Sequence, residues 1–257
     1  MSNKRYIAII PARYASTRFP AKPLALLCGK PIIQRVYERV RPCFDETVVA
    51  TDNEEIMRLV QSFGGKAIMT SPNHKSGTDR CWEAYQKCGA RYDVVVNVQG
   101  DEPFIRASQL EAVKTCFDDA DTQIATLVMP FTPDTDFALI ENPNSPKVVV
   151  DKKGFAMYFS RSVIPFIRGR EQSVWSSQHV FYKHIGLYAY KVDVLKEITK
   201  LPQSELELAE SLEQLRWLEN GYKIKVQQTR QETIGIDTPE DLHKAEIFLK
   251  THGEEHC

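Results

Sequence analysis

The feature that most constrains the fold is an alternation of short apolar segments with longer segments of helical periodicity. A β-branched run at Glu46–Thr51 precedes residues 53–63, where apolar side chains recur at helical spacing before the pair Gly64 and Gly65. The nearly continuous apolar run 93–99 is typical of a strand buried on both faces. Strands that alternate with helices in this way predict a parallel sheet covered on both sides. Ligands are then expected beyond the carboxyl ends of the strands.

The same patterns divide the rest of the chain into further elements. A first strand runs from Ile7 to the break at Pro11, and the next helix is expected to have Pro31 at its first position. Further strands are predicted over 66–70, 124–129, 182–190, 222–226 and 232–236. Further helices are predicted from a cap at Thr78 to Gly89, and over 107–117, 205–220 and 239–250.

The second half departs from this alternation. Residues 147–151 and 155–160, joined by the turn 152–154, predict a β-hairpin. Residues 163–179 carry no periodicity and are expected to form a long loop. We therefore predict one domain over 1–257, in which an insertion at about 130–190 adds a second wall over the edge of the sheet.

Composition argues against several classes of function. Lys and Arg (33) nearly balance Asp and Glu (34) without long charge blocks, so the basic footprint of a nucleic-acid-binding protein is missing. Six cysteines, with no C-x-x-C pair and no clustered histidines, indicate thiols in a reducing compartment rather than zinc ligands or disulfides. No signal-peptide core and no stretch of roughly 20 apolar residues is present. We expect a cytoplasmic protein that does not insert into a membrane.

A cationic loop follows the first strand. Arg13, Arg18 and Lys22 lie among the prolines at positions 11, 20 and 23, which restrict φ and lower the entropy lost on ordering. Such a loop between a buried strand and a helix suits the phosphates of a nucleotide. The P-loop pattern G-x-x-x-x-G-K-[ST] is absent, so the phosphates would be bound by side-chain cations and by amides of the loop backbone. The simpler interpretation is a solvated loop with ordinary surface cations.

Acidic residues follow two of the predicted strands. Asp101, with Glu102 beside it, ends the most apolar strand, and Asp237 ends the strand predicted at 232–236. Mg²⁺ is typically held by one or two carboxylates together with phosphate oxygens, so the two aspartates would share a metal site at the sheet edge. The simpler interpretations are a turn or cap role for Asp101 and an N-cap position for Asp237.

Other polar residues have ordinary structural explanations beside a functional one. Gly77 would let a flat base approach the backbone, although the adjacent Thr78 is explained by helix capping alone. His184 would usually be a satisfied core histidine and Arg161 a surface cation. Glu213 and Gln214 would normally lie on the solvated face of their helix.

A series of motifs, in a fixed order, carries a resemblance to a known family. The most specific are PARYASTR, within IIPARYASTRFPAKPL, and QGDEP, within VVNVQGDEP; the others are ATDNEEI, SGTDR, NPNSPKVVVD, YFSR with the following IPF, HIGLYAY, LEQLR and GIDTPEDL. Over about residues 6–245 the chain resembles the 3-deoxy-D-manno-octulosonate (KDO) cytidylyltransferases, also called CMP-KDO synthetases. HIGLYAY and LEQLR point to KDO rather than to the related sialic-acid enzymes.

The resemblance implies a three-layer, glycosyltransferase-A-like (Rossmann-like) α/β fold with a mixed sheet. A β-hairpin insertion would form a smaller lobe for sugar binding and for dimerisation of a homodimer. The implied enzyme is a nucleotidyltransferase that transfers CMP from CTP to the anomeric 2-hydroxyl of KDO, releases pyrophosphate and uses Mg²⁺. Its product would serve lipopolysaccharide biosynthesis.

The resemblance also implies roles for individual residues. Lys22, Asp101 and Asp237 would be catalytic, and the two aspartates would hold Mg²⁺. The residues implied for the nucleotide are Ala12, Arg13, Arg18, Lys22, Ser76, Gly77 and Arg80. The residues implied for KDO are Gln99, Arg161, His184, Tyr188, Glu213 and Gln214.

One residue departs from the family pattern. Ala21 stands where the family commonly has Gly before the loop lysine. If the backbone there needs a positive φ, Ala would cost about 1 kcal/mol.

Two other functions remain alternatives. One is a cytidylyltransferase for another 2-keto sugar acid, such as an amino-substituted KDO or a sialic acid. The other is a catalytically silent nucleotide-sugar sensor, against which the presence of both Asp101 and Asp237 argues. An NAD-binding dehydrogenase is disfavoured because no G-x-G-x-x-G follows the first strand.

Overall fold

The structure is a computed structural model that describes residues 4–15, 18–231 and 234–253. Its strands are β1 (Tyr6–Ala12), β2 (Leu26–Leu27), β3 (Lys30–Pro31), β4 (Glu46–Thr51), β5 (Ala67–Met69), β6 (Val94–Asn97), β7 (Ile124–Pro130), β8 (Lys147–Val150), β9 (Ala156–Ser160), β10 (Tyr182–Lys191) and β11 (Ile224–Gln228). Its α-helices are α1 (Ile32–Val40), α2 (Glu54–Ser62), α3 (Gly77–Lys87), α4 (Ala107–Thr115), α5 (Phe137–Glu141), α6 (Trp175–Gln178), α7 (Val192–Ile198), α8 (Glu205–Glu210), α9 (Glu213–Glu219) and α10 (Pro239–His252). Among the described residues, no helix is long and apolar enough to cross a membrane.

The first of two compact units contains the described residues of 1–111, 189–199 and 233–257. Its strands β6, β1, β4 and β5 lie side by side in that order and are parallel, with Ile9 in register with Val48 on one side and Asn97 on the other. The apolar side chains of β4 and β6 and most of those of β1 are buried, whereas the residues of the edge strand β5 are only partly buried. Val36 of α1 and Val60 of α2 are buried as well. The predicted α/β alternation is therefore confirmed. Because the strands are parallel, their carboxyl ends meet at one edge of the sheet.

The second unit contains the described residues of 112–188 and 200–232. Strands β7 and β11 are parallel, with Ile124 opposite Ile224. Strands β8 and β9 form an antiparallel hairpin, as predicted, and β8 also pairs in antiparallel fashion with β10. The overall class is a mixed α/β fold, as expected. The prediction of a single domain stays a prediction.

The helix predicted over 205–220 is wrong as a continuous helix. It is divided into α8 and α9 by Ser211, whose φ of 50° lies in the left-handed region. The Arg161 side chain donates hydrogen bonds to the Glu210 carbonyl (2.6 Å) and the Ser211 carbonyl (3.3 Å) at this break. The leucine periodicity continues across the interruption, so it gave no signal of this tertiary contact.

The loop predicted over 163–179 is also partly wrong. It contains a short 3₁₀ turn and helix α6, where Trp175 is buried against Phe181 and Phe137. Aromatic packing, which has no fixed sequence period, orders this segment.

Smaller corrections concern the ends of elements. Pro31 is the N-cap residue of α1 rather than its first helical residue. Of the strand predicted over 232–236, residues 232 and 233 lie outside the described residues and 234–236 are not in a strand. The short hairpin β2–β3 was not predicted; its turn has positive φ at Cys28 (47°) and Gly29 (79°). Helices α5 and α7 were not predicted either.

Candidate active site

A polar cleft of about 360 Å³ lies in the first unit, at the carboxyl ends of β1 and β6. It contains every residue implied for the nucleotide and the metal, together with Gln99. Its lining residues are Pro11, Ala12, Arg13, Arg18, Lys22, Pro23, His74, Lys75, Ser76, Gly77, Arg80, Gln99, Gly100, Asp101 and Asp237. Four separate stretches of sequence (11–23, 74–80, 99–101 and Asp237) thus meet at this edge of the sheet.

The two aspartates are joined through the backbone. The Ile236 N–H donates to the Asp101 carbonyl at 2.9 Å, which ties the turn after β6 to the segment that leads into α10. Asp237 directly precedes Thr238, the N-cap of α10, and its own N–H donates to the Asp241 carboxylate at 3.2 Å. The backbone of both predicted metal ligands is therefore held in place before any ligand contributes.

Two cations contact these carboxylates. The Lys22 ammonium lies 2.5 Å from Asp101 Oδ2 and 3.0 Å from Asp237 Oδ1, and Arg18 Nη2 lies 3.1 Å from Asp237 Oδ2. The Lys22 side chain is only 13% exposed, whereas that of Arg18 is 67% exposed. Exposed ion pairs contribute little, so the Lys22 contact dominates the electrostatics here.

Ala21 adopts the left-handed conformation, with φ of 55° and ψ of 21°. Its N–H donates to the Tyr14 carbonyl at 3.0 Å, and its own carbonyl accepts from the Leu24 N–H at 2.9 Å. Both bonds hold the backbone in a conformation that is unfavourable for a residue with a Cβ atom. The backbone at Ala21 therefore does need a positive φ, and the alanine there is strained.

Replacing Ala21 by glycine is expected to stabilise the protein. Removing the Cβ atom relieves about 1–2 kcal/mol of left-handed strain, while the greater freedom of glycine in the unfolded chain returns about 0.5–1 kcal/mol. We expect Ala21→Gly to raise the free energy of unfolding by about 0.5–1 kcal/mol in a denaturant titration.

Ala25 provides the matched control. It lies four residues further on, is similarly half-buried, and has an ordinary extended conformation (φ −62°, ψ 142°). Ala25→Gly should therefore lower the free energy of unfolding by about 0.5–1 kcal/mol. Equal losses of stability in the two variants would contradict the assignment of strain to Ala21.

Helix α3 delivers the residues implied for the base. Its N-cap is Ser76, whose Oγ accepts from the Asp79 N–H at 3.1 Å, so the predicted cap at Thr78 is wrong. Thr78 is buried in the first turn instead. A Cβ atom at Gly77 would lie 3.4 Å from Pro11 Cγ, an ordinary contact. Packing within the protein therefore does not require a glycine at position 77.

Arg80 lines the cleft but is buried, and its guanidinium is engaged within the protein. Nη1 donates to Thr70 Oγ1 at 2.6 Å and Nη2 donates to Asp52 Oδ2 at 2.7 Å. Thr70 Oγ1 in turn donates to the Thr51 carbonyl at 3.1 Å. Arg80 thus fixes the carboxyl ends of β4 and β5 beside the cleft. Asp52 lies within the motif ATDNEEI, but its role as a partner of Arg80 was not foreseen.

His74 and Lys75 also line the cleft and were missed. His74 Nε2 is paired with Glu83, which also accepts from the Ser71 N–H (2.9 Å) and from Lys87 Nζ (2.5 Å). Although burial alone would raise it, these hydrogen bonds lower the pKa of the Glu83 carboxyl to about 2. The pair joins residues nine positions apart across a loop and a helix, a spacing that no periodic pattern signals.

The residues implied for the sugar acid lie in the second unit, apart from Gln99. Arg161 donates to three backbone carbonyls, those of Pro143 (2.8 Å), Glu210 and Ser211. Its backbone N–H donates to a Glu210 carboxylate oxygen at 2.8 Å. These bonds hold the α8–α9 junction. Counted over the described residues, they use three of the five guanidinium N–H groups and leave two for other partners.

His184 and Tyr188 pack together on β10, with ring centroids 5.3 Å apart. His184 Nε2 lies 3.2 Å from Thr126 Oγ1, and Phe159 packs edge-on against its ring at 5.1 Å. Burial among these uncharged groups lowers the pKa of His184 to about 3, and burial likewise raises the pKa of the Tyr188 hydroxyl. His184 is therefore neutral near pH 7 and can offer a hydrogen bond but not a charge.

The buried imidazole predicts a pH dependence of stability. The folded-state pKa of about 3 lies below the unfolded value of about 6.5, so the unfolded chain binds the extra proton and stability falls as pH drops below 6.5. Because His184 keeps some exposed surface, we expect its contribution to be about 1–2 kcal/mol lost between pH 7.5 and pH 5. Urea unfolding across this range measures the loss.

The variant His184→Gln serves as the control for this titration. Glutamine is polar but does not titrate, so the loss between pH 7.5 and pH 5 should shrink by the His184 contribution. If the wild type and the variant lost stability equally over this range, His184 would not be the buried neutral group described above.

Glu213 and Gln214 begin helix α9. Glu213 Oε1 accepts from Arg216 Nη2 at 2.9 Å, so this carboxylate is paired within its own helix. Gln214 is buried, contrary to its expected solvated position, and its side-chain nitrogen has no hydrogen-bond partner among the described residues. A buried donor of this kind suits a ligand oxygen, because an unsatisfied buried amide is costly.

The donor set at Asp101 and Asp237 fits a Mg²⁺ ion. Within the part of the chain that the structure describes, no cluster of three or more His, Cys, Asp or Glu residues could hold a metal by itself. Mg²⁺ does not need such a cluster when substrate phosphates supply further oxygens. The same two carboxylates already attract a cation, the Lys22 ammonium.

Comparisons with known proteins agree with this geometry. The family model described as Cytidylyltransferase matches residues 7–225. A 3-deoxy-manno-octulosonate cytidylyltransferase of Phocaeicola vulgatus is 69% identical over 96% of this chain and 98% of its own length. The enzyme of the same name from Porphyromonas gingivalis is 55% identical over 98% of this chain and its own full length, 100%.

Solved structures give the same result. CMP:2-keto-3-deoxy-manno-octonic acid synthetase complexed with CTP matches with a TM-score of 0.87 and 41% identity, covering 96% of this chain and 99% of that one. A 4-diphosphocytidyl-2C-methyl-D-erythritol synthase from Anaerococcus prevotii, at 14% identity and a TM-score of 0.62, shares the fold alone. The predicted resemblance is confirmed: the chain belongs to the cytidylyltransferase family and, within it, to the 3-deoxy-manno-octulosonate cytidylyltransferases.

Proposed function

We propose that the enzyme transfers CMP from CTP to the anomeric 2-hydroxyl of KDO and releases pyrophosphate. The observation that carries the proposal is the convergence of Arg13, Arg18 and Lys22 with Asp101 and Asp237 in one cleft. Such a set of cations suits a triphosphate, and the paired carboxylates suit its metal. The similar synthetase solved with CTP supports CTP as the nucleotide.

The reaction is an in-line displacement at the α-phosphorus, with no covalent enzyme intermediate. Arg13, Arg18 and Lys22 would bind the β- and γ-phosphates and stabilise the charge that develops on the leaving pyrophosphate. Ser76 and Gly77, at the start of α3, would lie along the cytidine, while Arg80 keeps the wall behind them rigid. Positioning and electrostatic stabilisation account for the catalysis proposed here.

Asp101 and Asp237 would hold Mg²⁺. When bound, Mg²⁺ supplies positive charge to the α-phosphate and lowers the pKa of a coordinated hydroxyl. The KDO 2-hydroxyl lies beside the sugar's own carboxylate, so the substrate itself offers a chelating pair. This arrangement does not require a separate histidine base, in agreement with the low pKa of His184, which makes its imidazole a weak base.

The residues of the second unit that are implied for the sugar acid are mainly uncharged hydrogen-bond donors. The buried Gln214 amide, the Tyr188 hydroxyl and the neutral His184 imidazole suit the hydroxyl groups of a sugar. Arg161 would bind the carboxylate of the sugar acid through the two guanidinium N–H groups that do not donate to backbone carbonyls of the described residues. The second unit would also carry the surface of a homodimer, since Phe166 (72% exposed) and Leu139 (57% exposed) are large apolar side chains on it.

A direct assay tests the function. The purified enzyme is supplied with CTP, Mg²⁺ and either KDO, 8-amino-KDO or a sialic acid, and the release of pyrophosphate is followed. We expect the largest kcat/KM with KDO, and no release without a sugar acid. A preference for another acid would replace the substrate, and no release with any acid would favour the nucleotide-sugar sensor.

The reducing environment of the cytoplasm is the proposed location. What supports this proposal is the sequence, whose six cysteines include no C-x-x-C pair and are typical of thiols in a reducing compartment. Burial raises the pKa of the Cys116 thiol to about 12, so this cysteine is unreactive.

A further inference from the structure

Lys22 occupies the place between the two aspartates that a metal would need. Its ammonium contacts Asp101 Oδ2 at 2.5 Å and Asp237 Oδ1 at 3.0 Å. Mg²⁺ binds carboxylate oxygens at about 2.0–2.1 Å and demands a near-octahedral shell. An ammonium on these two oxygens disfavours a divalent cation at the same place, because the two positive charges repel each other and compete for the same space.

The backbone at Lys22 is fixed, whereas its side chain can rotate. Lys22 is the first residue of a 3₁₀ turn that ends at Leu24, and the next residue, Pro23, is buried. The Ala25 N–H donates to the Lys22 carbonyl at 3.1 Å. Lysine carries its charge on a flexible four-carbon stem, so the ammonium can exchange partners without movement of the loop. The cleft offers it a second anion, the triphosphate of the proposed nucleotide.

We infer that Lys22 is a tethered cation that competes with the divalent metal for Asp101 and Asp237. It leaves the carboxylates for the nucleotide's phosphates when metal and nucleotide bind together. The inference rests on the proposed function and adds a coupling to it. When the metal binds alone, it must displace the Lys22 ammonium, which then has no new anionic partner. When nucleotide binds together with the metal, the phosphates of the nucleotide become that partner. Each ligand therefore raises the affinity for the other by the same factor.

Titration with Mn²⁺ in the absence of nucleotide, followed by electron paramagnetic resonance of the free ion, tests this directly. Lys22→Gln removes the competing charge and should bind Mn²⁺ about tenfold more tightly than the wild type. Lys22→Arg keeps the charge and should gain no affinity. Lys30→Gln is the matched control, since Lys30 pairs with Glu38 at 2.8 Å outside the cleft. It should bind Mn²⁺ as the wild type does.

Arg18→Gln separates Lys22 from cationic charge in general. Of the two aspartates, Arg18 contacts Asp237 and not Asp101 in the described part of the chain, and its side chain is far more exposed than that of Lys22. Removing Arg18 should therefore change Mn²⁺ affinity much less than removing Lys22. A gain for Arg18→Gln as large as that for Lys22→Gln would overturn the specific role of Lys22. Thermal unfolding of each variant shows that the binding curves refer to folded protein.

The variant Asp101→Asn distinguishes failure of this inference from failure of the metal site. If Asp101→Asn loses Mn²⁺ binding but Lys22→Gln gains none, the metal site stands and the competition is refuted. If Asp101→Asn binds Mn²⁺ as the wild type does, the proposed metal site fails, and the inference fails with it. A gain in Lys22→Gln that disappears in the double variant with Asp101→Asn is the expected result.

Discussion

Asp101→Asn and Asp237→Asn are each expected to lower kcat at least about a hundredfold at saturating CTP, since each would remove a ligand of the metal that stabilises the transition state. Asparagine keeps the shape of the side chain but loses the charge that holds a divalent cation. The measurement is pyrophosphate release across a Mg²⁺ titration. Because the backbone is fixed by the bond from Ile236 N–H to the Asp101 carbonyl, we expect both variants to remain folded.

Asp121→Asn is the matched control for these substitutions. Asp121 is an exposed carboxylate (66%) that pairs loosely with Lys223 at 3.6 Å, so its loss should leave turnover unchanged. Near-native turnover of Asp101→Asn or Asp237→Asn at every Mg²⁺ concentration would remove that residue from the metal site. A loss of turnover that excess Mg²⁺ restores would instead show weakened but intact binding.

Gly100→Ala is expected to disturb both stability and nucleotide binding. A Cβ atom at Gly100 would lie 2.8 Å from the Pro11 carbonyl oxygen, a distance that backbone atoms cannot accommodate without moving. Overpacking of this kind typically costs about 1–3 kcal/mol. Since Pro11 leads directly into the cationic loop, the shift should also raise the KM for CTP. Denaturant unfolding and steady-state kinetics measure the two effects.

The variant Gly77→Ala is the control for Gly100→Ala. It replaces a cleft glycine by alanine without the close approach to Pro11 that a Cβ atom at position 100 would make. Its Cβ atom would make only an ordinary contact with Pro11, and Gly77 is the first residue of helix α3, where alanine is favourable. We expect no loss of stability from Gly77→Ala, in contrast to Gly100→Ala. If both variants were destabilised equally, close approach to Pro11 would not explain the glycine at position 100.

Local periodicity was sufficient to predict much of the fold. Burial imposes a pattern of apolar residues on neighbouring positions, and this pattern predicted three elements. They are the β-branched strand Glu46–Thr51, the apolar strand found at Val94–Asn97 and the hairpin that begins at Lys147. The division of 205–220 was not predictable in this way. It depends on Arg161, which lies about fifty positions away and meets the carbonyls at Glu210 and Ser211.

The sequence alone determined which chemical groups this enzyme has and where they enter the sheet: a cationic loop after the first strand, and an aspartate after β6. Only the tertiary structure decided which of them meet. It placed Lys22 between Asp101 and Asp237, directed Arg80 toward Asp52, and gave Ala21 a left-handed backbone. The physical reason is that charge and periodicity are properties of local sequence, whereas ion pairs and positive φ values are imposed by contacts between distant segments.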